Sequence, residues 1–277
     1  MTTLAPARPL GDFLREWRRR RRMSQLDLAL EADISQRHLS FIESGRAAPS
    51  RDMLLHLAER LEVPLRERNP MLLAAGFAPV FAERKLDDPA LQPARRAIDM
   101  VLKGHEPFPA LAIDRHWTLV AANAAVAPLL AGVADRSLIE GPVNVLRLSL
   151  HPQGLAPHIA NLVEWRSHLL ERLRQQIAAT GDRVLRALLE ELSGYPVPED
   201  TSKAAAKHDY AGIAVPMDLR TEAGLLSFIS TTTVFGTPVD VTLSELAVES
   251  FFPANNETAR LLRQMTKAGP WKATVEA

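Results

Sequence analysis

The sequence predicts two domains of different class: an all-α domain of short helices, and after it an α+β domain with an antiparallel sheet. Three observations predict this order. Apolar residues recur at helical spacing between polar cap residues over 7–77. Residues 78–92, APVFAERKLDDPALQ, mix charge and proline without periodicity, as linkers do. The remaining domain, 93–268, ends in stretches rich in β-branched residues between turn signals.

Composition and charge limit the class of protein. The chain has 277 residues, and 47% of them are hydrophobic, which is typical of a protein with a buried core. Basic and acidic residues balance at 33 each, but residues 1–85 hold 15 Lys and Arg against 11 Asp and Glu. A basic N-terminal part favours a nucleic-acid-binding module joined to a second domain.

Disulfide, secretion and membrane signals are missing from the sequence. Because there is no cysteine, disulfides and thiolate sites are excluded, and we expect a cytoplasmic location. The first ten residues lack the layout of a signal peptide. Residues 117–134 carry no charge, but Asn123, Pro128 and Gly132 interrupt them. We therefore predict a strand and a buried helix there, with no membrane span.

Five short helices are predicted in the first domain. The first has an apolar stripe at i, i+3, i+4 and i+7 and continues through the arginine run 18–22. A fourth helix is predicted to start at Pro49 and Ser50, and a fifth to span 64–75. The inward residues of the first and fourth helices are Leu10, Phe13, Leu14, Trp17, Leu54, Leu57, Ala58 and Leu61.

The second and third helices are predicted to form a helix-turn-helix unit. Ser24 stands at the N-cap position of the second helix, and Ser35 caps the third, which runs to residue 44. A short break at Asp33 separates the two helices. Gly45 ends the third helix, because glycine tolerates a positive φ. Two helices at this spacing are typical of DNA-binding proteins.

The outer face of the third helix carries side chains suited to reading DNA. With Leu39 and Ile42 inward, glutamine and arginine on the other face can bind adenine and guanine edges bidentately. Exposed polar residues are ordinarily only solvated, but the turn spacing, the caps and the basic flank favour DNA contact. Gln25 and the arginine run are expected at phosphates. The predicted DNA-binding residues are Gln25, Ser35, Gln36, Arg37, His38, Ser40 and Arg46.

This stretch resembles the XRE, or λ-repressor-like, helix-turn-helix family. The matching residues are Ser24-Gln25, Leu28-Ala29, Ile34-Ser35, Glu43-x-Gly45 and Pro49. The resemblance implies a λ-repressor-like fold and a structural ion pair between Arg18 and Glu43. Two residues depart from the family pattern. Asp33 replaces the usual turn glycine, and Phe41 fills a slot that is often polar. Phe41 could touch a thymine methyl group or pack inward, and we expect it to pack inward.

The second domain is predicted to alternate helices and strands. The predicted helices span 93–103, 157–179, 183–192 and 256–265, with an alanine-rich helix after Asn123. The predicted strands span 111–114, 118–123, 210–217, 225–235 and 239–252. A strand pair, then helices, then an antiparallel meander is the layout of a PAS-like α+β domain. Such a domain encloses a cavity between one face of its sheet and its helices.

The whole chain resembles the MmyB-like transcriptional regulators, in which an XRE-type domain is joined to a PAS-like ligand-binding domain. Four separated blocks in the right order carry this resemblance: 37–50, 64–79, 109–123 and 144–174. The resemblance implies a bacterial regulator whose second domain accepts an apolar, fatty-acid-like molecule.

A pocket for such a molecule needs apolar walls and a few polar anchors. The candidate walls are Trp117, Leu119, Trp165, Leu169, Phe228 and Phe235, and the candidate anchors are Asn123, Arg147, His168 and Arg172. An arginine at the mouth could hold a carboxylate. Each residue also has a simpler interpretation. Aromatic residues beside an apolar stripe are ordinarily core, the arginines could form surface ion pairs, and Asn123 could cap a helix.

Metal binding and catalysis find little support. His151, His158 and His168 are not at the spacing of a metal site, so no metal ion or other cofactor is expected beyond a bound fatty acid or similar ligand. The 13 glycines include no GxG pair, and there is no GxSxG elbow. We therefore predict that the chain is not an enzyme.

The sequence thus predicts a sequence-specific regulator that binds double-stranded DNA and a small apolar effector. A homodimer would place two recognition helices about 34–36 Å apart on a palindromic site. A first alternative makes the second domain a ligand-free module for dimerisation or a partner protein. A more distant alternative is an enzyme that represses its own gene.

Overall fold

A computed structural model describes residues 8–197, 215–236 and 240–265. These residues form two compact units. The first, here called the N-terminal unit, contains the described residues up to 85 together with 178–180 and 240–244. The second, the C-terminal unit, contains the other described residues. Within these ranges no helix is both long enough and apolar enough to cross a bilayer.

The N-terminal unit is helical, as predicted. Its five consecutive helices are α1 (Leu10–Arg20), α2 (Gln25–Glu31), α3 (Gln36–Glu43), α4 (Arg51–Arg60) and α5 (Leu65–Ala74). Serine side chains cap three of them by accepting a hydrogen bond from the backbone N–H three residues later. Ser24, Ser35 and Ser50 cap α2, α3 and α4 in this way. These caps set the helix starts close to where the sequence predicted them.

Backbone conformation at two predicted turns explains their residues. Asp33, between α2 and α3, has a φ of 52°, and Gly45, after α3, has a φ of 74°. Aspartate is one of the few residues other than glycine that enters this left-handed region readily. A second glycine, Gly11, has a different role. A Cβ on Gly11 would overlap the carbonyl oxygen of Glu43, so glycine lets α1 approach the end of α3.

The core of the N-terminal unit joins all five helices. Its central side chains are 0–1% exposed: Leu14, Leu28, Leu39, Ile42, Leu54, Leu57, Leu61, Met71 and Leu72. Phe41 is an exception to the predicted pattern. It was expected to pack inward, but its side chain is half-exposed, and the apolar cluster of the described residues does not include it.

The C-terminal unit is built on one antiparallel sheet. Its strands are β1 (Ala110–Ile113), β2 (Leu119–Ala122), β3 (Met217–Thr221), β4 (Gly224–Val234) and β5 (Ala247–Pro253). They lie in the order β2-β1-β5-β4-β3, so the first and last strands pair at the centre. The remaining α-helices in the described ranges are α6 (Gln92–Gly104), α7 (Val145–Leu150), α8 (Leu162–Thr180), α9 (Arg183–Ser193), α10 (Val241–Ser244) and α11 (Asn256–Met265). The predicted α+β class with an antiparallel sheet is therefore confirmed.

One apolar cluster fills the C-terminal unit. It combines inward residues of the sheet, such as Leu226 and Phe228, with the apolar stripe of α8, including Leu169 and Leu173. Alternation along β4 and β5 places every second residue toward this cluster. The register aligns Leu111, Glu249 and Thr232 as cross-strand neighbours on β1, β5 and β4.

Three local predictions differ from the structure. The strand predicted at 210–217 lies partly outside the described residues, and the observed β3 begins at Met217 and pairs with Phe228. The strand predicted at 239–252 begins at Ala247, because Asp240 accepts the backbone N–H of Thr242 and starts the short helix α10. After Asn123, the predicted alanine-rich helix is a single 3-10 segment at Ala127–Leu130.

The connection between β4 and β5 belongs partly to the N-terminal unit. Within that unit, Val241 is fully buried, and its N–H donates to the carbonyl of Ala82 at 2.8 Å. Arg84 donates to the buried carboxylate of Asp240 at 2.8 Å, and Thr242 donates to the carbonyl of Arg84. Residues 240–244 are thus bonded to the segment that follows α5.

Candidate nucleic-acid interface and effector region

Helix α3 presents an apolar face to the core and a polar face to solvent. Leu39 and Ile42 are buried, while Gln36 and Arg37 in the first turn of the helix are exposed. His38 and Ser40 lie at the margin and are half-exposed, and Arg46 is exposed just beyond the helix. The structure therefore brings most of the predicted DNA-binding residues to one face of the unit.

Ser35 and Gln25 hold structural bonds that still leave hydrogen-bonding capacity. The Ser35 hydroxyl accepts the N–H of His38, which leaves its own hydrogen to donate. The Gln25 amide donates to Glu43 at 2.8 Å, and an amide nitrogen has a second hydrogen. Either group can therefore act on DNA without giving up its structural bond.

Glu43 is a buried acceptor that joins three helices. Arg18 of α1 donates to both of its oxygens, at 2.7 and 3.0 Å, and the Gln25 bond adds α2. The hydrogen bond from Glu43 is the main reason why the pKa of Arg18 lies above its usual value. The predicted ion pair between Arg18 and Glu43 is confirmed, and it fixes α3 against the helices that precede it.

The arginine run divides into bonded and exposed members. Arg18 binds Glu43, Arg20 pairs with Glu16, and Arg21 donates to the carbonyls of Leu61 and Glu62. Arg19 and Arg22 are exposed, and neither forms a hydrogen bond or ion pair through its side chain with the described residues. The sequence predicted phosphate contacts for the whole run. The structure leaves Arg19 and Arg22 available for them.

Two exposed arginines lie over the ring of Phe41. The guanidinium carbon of Arg37 lies 5.3 Å from the ring centroid, and that of Arg46 lies 5.9 Å from it. These distances are in the range of cation–π contacts. This arrangement was not predicted from the sequence. The signal was the i, i+4 spacing of Arg37 and Phe41, which puts both side chains on one face of a helix.

In the C-terminal unit, the predicted pocket walls lie mainly in the core. Phe228 is fully buried, and Trp117, Trp165 and Leu169 are 4–5% exposed. Leu119 on β2 and Phe235 just after β4 are half-exposed. The ring nitrogens of the tryptophans are bonded. Trp117 donates to the side chain of Gln176 at 2.8 Å, and Trp165 donates to the hydroxyl of Ser149 at 3.0 Å. Four of the predicted walls, Trp117, Trp165, Leu169 and Phe228, therefore share one apolar cluster, and Leu119 and Phe235 are outside that cluster as the described residues form it.

Arg172 is held by an acidic partner on the sheet. Its guanidinium donates to both oxygens of Glu249, which is 4% exposed, and to the hydroxyl of Thr232. It also lies over the ring of Trp117, with the guanidinium carbon 4.6 Å from the centroid. The charge of Arg172 is thus balanced within the unit. A charged residue at an inward position of β5 was the sequence signal for this pair.

His168 lies one turn before Arg172 on α8 and stacks on Trp165, with ring centroids 5.6 Å apart. Burial is the main reason why the pKa of His168 lies below its usual value, and the neighbouring Arg172 cation lowers it further. The carboxylate of Glu249 opposes both effects. A neutral imidazole can donate one hydrogen bond and accept another, but it offers no charge to an anion.

The other two predicted anchors also have internal partners. Arg147 donates to both oxygens of Glu191, at 2.6 and 2.7 Å, and this bond lowers the pKa of Glu191 to about 2. Asn123 is buried, accepts the N–H of Ala110 and donates to the carbonyls of Leu102 and Phe108. It therefore ties β1 to the segment after α6, and this differs from the helix cap that its position suggested.

Comparison with known proteins identifies both parts of the chain. The family described as "MmyB-like transcription regulator ligand binding domain" matches residues 94–265, which is more than half of the chain. A family described as "Helix-turn-helix" matches residues 14–68. A proposed HTH-type transcriptional regulatory protein of Methanoculleus marisnigri is 35% identical over 116 residues, or 40% of this chain. The alignment spans 37% of that relative's own length. On the match of its larger part, and with a helix-turn-helix before it, the chain belongs to the MmyB-like transcription regulators.

Proposed function

We propose that the protein is a sequence-specific transcription regulator whose helix α3 enters the major groove of DNA. The observation that carries this proposal is the outer face of α3, where Gln36 and Arg37 are exposed. These are the side-chain types that bind adenine and guanine bidentately. The buried bonds of Glu43 hold this face in place, and Arg19, Arg22 and Arg46 add exposed positive charge for the phosphates.

The C-terminal unit is proposed to bind a small apolar effector. The support is the family match and the cluster of aromatic and aliphatic side chains around Trp117, Trp165 and Phe228. Arg147 and Arg172 are each neutralised by a glutamate, so an anionic head group would have to displace that glutamate. We therefore assign the binding energy to apolar contacts, with a carboxylate of the effector contributing little.

Two copies are proposed to bind together on a palindromic site. Their recognition helices would have to reach half-sites about 34–36 Å apart. An effector would regulate binding only if its affinity differed between protomer arrangements that fit this spacing and arrangements that do not.

A second candidate is a C-terminal unit without a ligand that serves dimerisation or a partner protein. The observation in its favour is that the four predicted anchors have partners inside the unit: Asn123, Arg147 and Arg172 are hydrogen-bonded, and His168 stacks on Trp165. Native mass spectrometry of the full chain, followed by organic extraction, separates the two candidates. One apolar molecule per chain supports the effector. A dimer without bound ligand, with a melting temperature unchanged by a panel of fatty acids, supports the second candidate.

Selection from a random double-stranded DNA library with the full chain tests the DNA proposal. A recovered motif supports it, and recovery of unrelated sequences contradicts it. Replacing Arg37 with alanine should then cost about 1–3 kcal/mol at one base pair of the motif. Arg95→Ala is the matched control, because Arg95 is an exposed arginine on α6, outside the helix-turn-helix.

A further inference from the structure

The ring of Phe41 lies close to two exposed arginines that have no carboxylate partner among the described residues. Arg37 and Arg46 lie over this ring, at 5.3 and 5.9 Å from its centroid, and neither forms a side-chain hydrogen bond or ion pair within the described ranges. Elsewhere in the same unit, Arg15, Arg18 and Arg20 are each bound to an acidic side chain. The two arginines beside Phe41 therefore keep their full charge while being oriented by an uncharged group.

The backbone of Phe41 adds a second link to Arg46. The Phe41 carbonyl accepts the N–H of Arg46 at 2.8 Å and the N–H of Ala47 at 3.1 Å. It also accepts the hydroxyl of Ser44 at 3.2 Å. The positive φ of Gly45 allows the chain to turn back toward this carbonyl. The turn after α3 is thus closed by main-chain bonds that any residue at position 41 would keep, whereas the contact with the two guanidiniums depends on the ring.

A long arginine side chain loses rotational freedom when it binds one base edge or one phosphate. A ring that already holds the guanidinium near its bound orientation reduces this loss, which is the general effect of preorganisation. Because Phe41 is half-exposed and outside the apolar core, its aromatic side chain has little part in stabilising the fold.

We propose that Phe41 is a positioning residue for DNA recognition, which holds Arg37 toward a base edge and Arg46 toward the phosphate backbone. This inference rests on the proposed binding of α3 in the major groove. It assigns to position 41 a share of the specificity at the base pair that Arg37 reads, although the ring itself makes no contact with that base pair.

The test measures binding of the full chain to its selected DNA motif and to every single-base variant of that motif. Phe41→Leu keeps an apolar side chain but removes the aromatic face, and Phe41→Tyr keeps the face. A cation–π contact at an exposed site corresponds to about 2–5-fold in affinity. We expect Phe41→Leu to reduce discrimination by that factor at the base pair that Arg37→Ala identifies. Phe41→Tyr should retain it, and the melting temperature should not change.

Two further comparisons isolate the route through arginine. In the Arg37→Ala background, Phe41→Leu should have no additional effect on discrimination at that base pair, because the ring then has no side chain to orient there. In the Arg46→Ala background, Phe41→Leu should still reduce this discrimination. The dependence of affinity on salt should fall when Arg46 is replaced, since one phosphate contact is lost.

Two outcomes would overturn the inference. Phe41→Leu could leave discrimination at that base pair unchanged, with or without a uniform loss of affinity, or it could abolish a preference for thymine that Arg37→Ala leaves intact. The last result would make the ring a direct DNA contact. A failure of the proposed function would be seen in a different result, since the wild-type chain would then select no DNA motif.

Discussion

Arg18 and Glu43 are joined by two hydrogen bonds, 2.7 and 3.0 Å long, that connect the first helix of the N-terminal unit to its third. The glutamate side chain is 2% exposed and the arginine side chain 12%. Burial of both groups makes each depend on the other, because a charge left alone in such a place is poorly solvated.

Replacing Glu43 with alanine should therefore lower the free energy of unfolding of the N-terminal unit by about 3–5 kcal/mol. The measurement is urea denaturation followed by circular dichroism. Glu62→Ala is the control, because Glu62 contacts Arg21 at 3.5 Å with its side chain 78% exposed, and such surface pairs contribute about 0–1 kcal/mol. If the double variant Arg18→Met, Glu43→Leu were no more stable than Glu43→Ala, an unpaired buried charge would not be the cause of the loss.

Gly11→Ala should destabilise the same unit, since its Cβ would meet the carbonyl of Glu43, which cannot move without displacing the end of α3. Overpacking of this kind costs about 1–3 kcal/mol. The matched control is Gly104→Ala. Gly104 ends α6 with open space around its Cα, and alanine there should stabilise the helix by about 0.5–1 kcal/mol. If Gly11 is needed for the close approach of α1 to Glu43, the melting temperature should fall in Gly11→Ala and rise in Gly104→Ala.

The C-terminal unit should become less stable at acid pH, in part because the Glu191 carboxylate is then protonated. The Arg147 guanidinium lowers its pKa from 4.5 to about 2 in the folded chain. The carboxylate therefore contributes stability above pH 4.5, and this contribution is lost as the pH falls toward about 2. Glu191→Gln should flatten this part of a plot of melting temperature against pH. Glu190→Gln, which alters a neighbouring exposed carboxylate with no side-chain bond to the described residues, should leave the slope unchanged.

Arg172→Met should raise the pKa of His168. Burial lowers this pKa first and the Arg172 cation second, while Glu249 raises it. The variant removes the cation and leaves Glu249 without its partner, so both changes favour the imidazolium. An NMR titration of the imidazole Cε1–H measures the shift. Arg174→Met, on the exposed side of the same helix, should not change it. A fall in the His168 pKa in Arg172→Met would contradict the assigned cause.

The contribution of His168 to stability should change with pH in the opposite direction to that of a histidine paired with an acidic residue. Its folded pKa lies below the ordinary value of 6.5, so the neutral ring contributes stability above pH 6.5. This contribution is lost as the pH falls below 6.5. The free energies of unfolding of wild type and His168→Gln should therefore differ more at pH 7.5 than at pH 5.5. These two pH values lie about 1 unit above and below the ordinary histidine pKa.

The N-terminal unit was predictable because its signals are local. Ser24, Ser35 and Ser50 mark helix starts through bonds to residues three positions away, and Asp33 and Gly45 mark turns by their own backbone conformation. A pattern within four or five residues contains all of this information. The order of strands and helices in the C-terminal unit was readable for a similar reason, since each element has its own periodicity.

The partners of the candidate anchors were not predictable, because they lie far away in the chain. Arg147 meets Glu191 across 44 positions, and Arg172 meets Glu249 across 77. The start of β5 was predicted wrongly for a related reason. The apolar alternation before Ala247 fits a strand in isolation, but among the described residues β5 pairs with β4 only from Ala247 onward. Register depends on the partner strand, and one strand's sequence does not contain it.

The placement of residues 240–244 in the N-terminal unit has a consequence for how this protein can be divided. A fragment that ends at residue 85 contains all five helices up to α5 but leaves behind Val241, which is fully buried, and its bond to Ala82. A single recombination point in the gene could therefore not exchange the N-terminal unit intact, because it would separate residues 240–244 from the helices. A working chimera has to take residues 240–244 from the same parent as the five helices, because replacement of either part alone would leave mismatched surfaces.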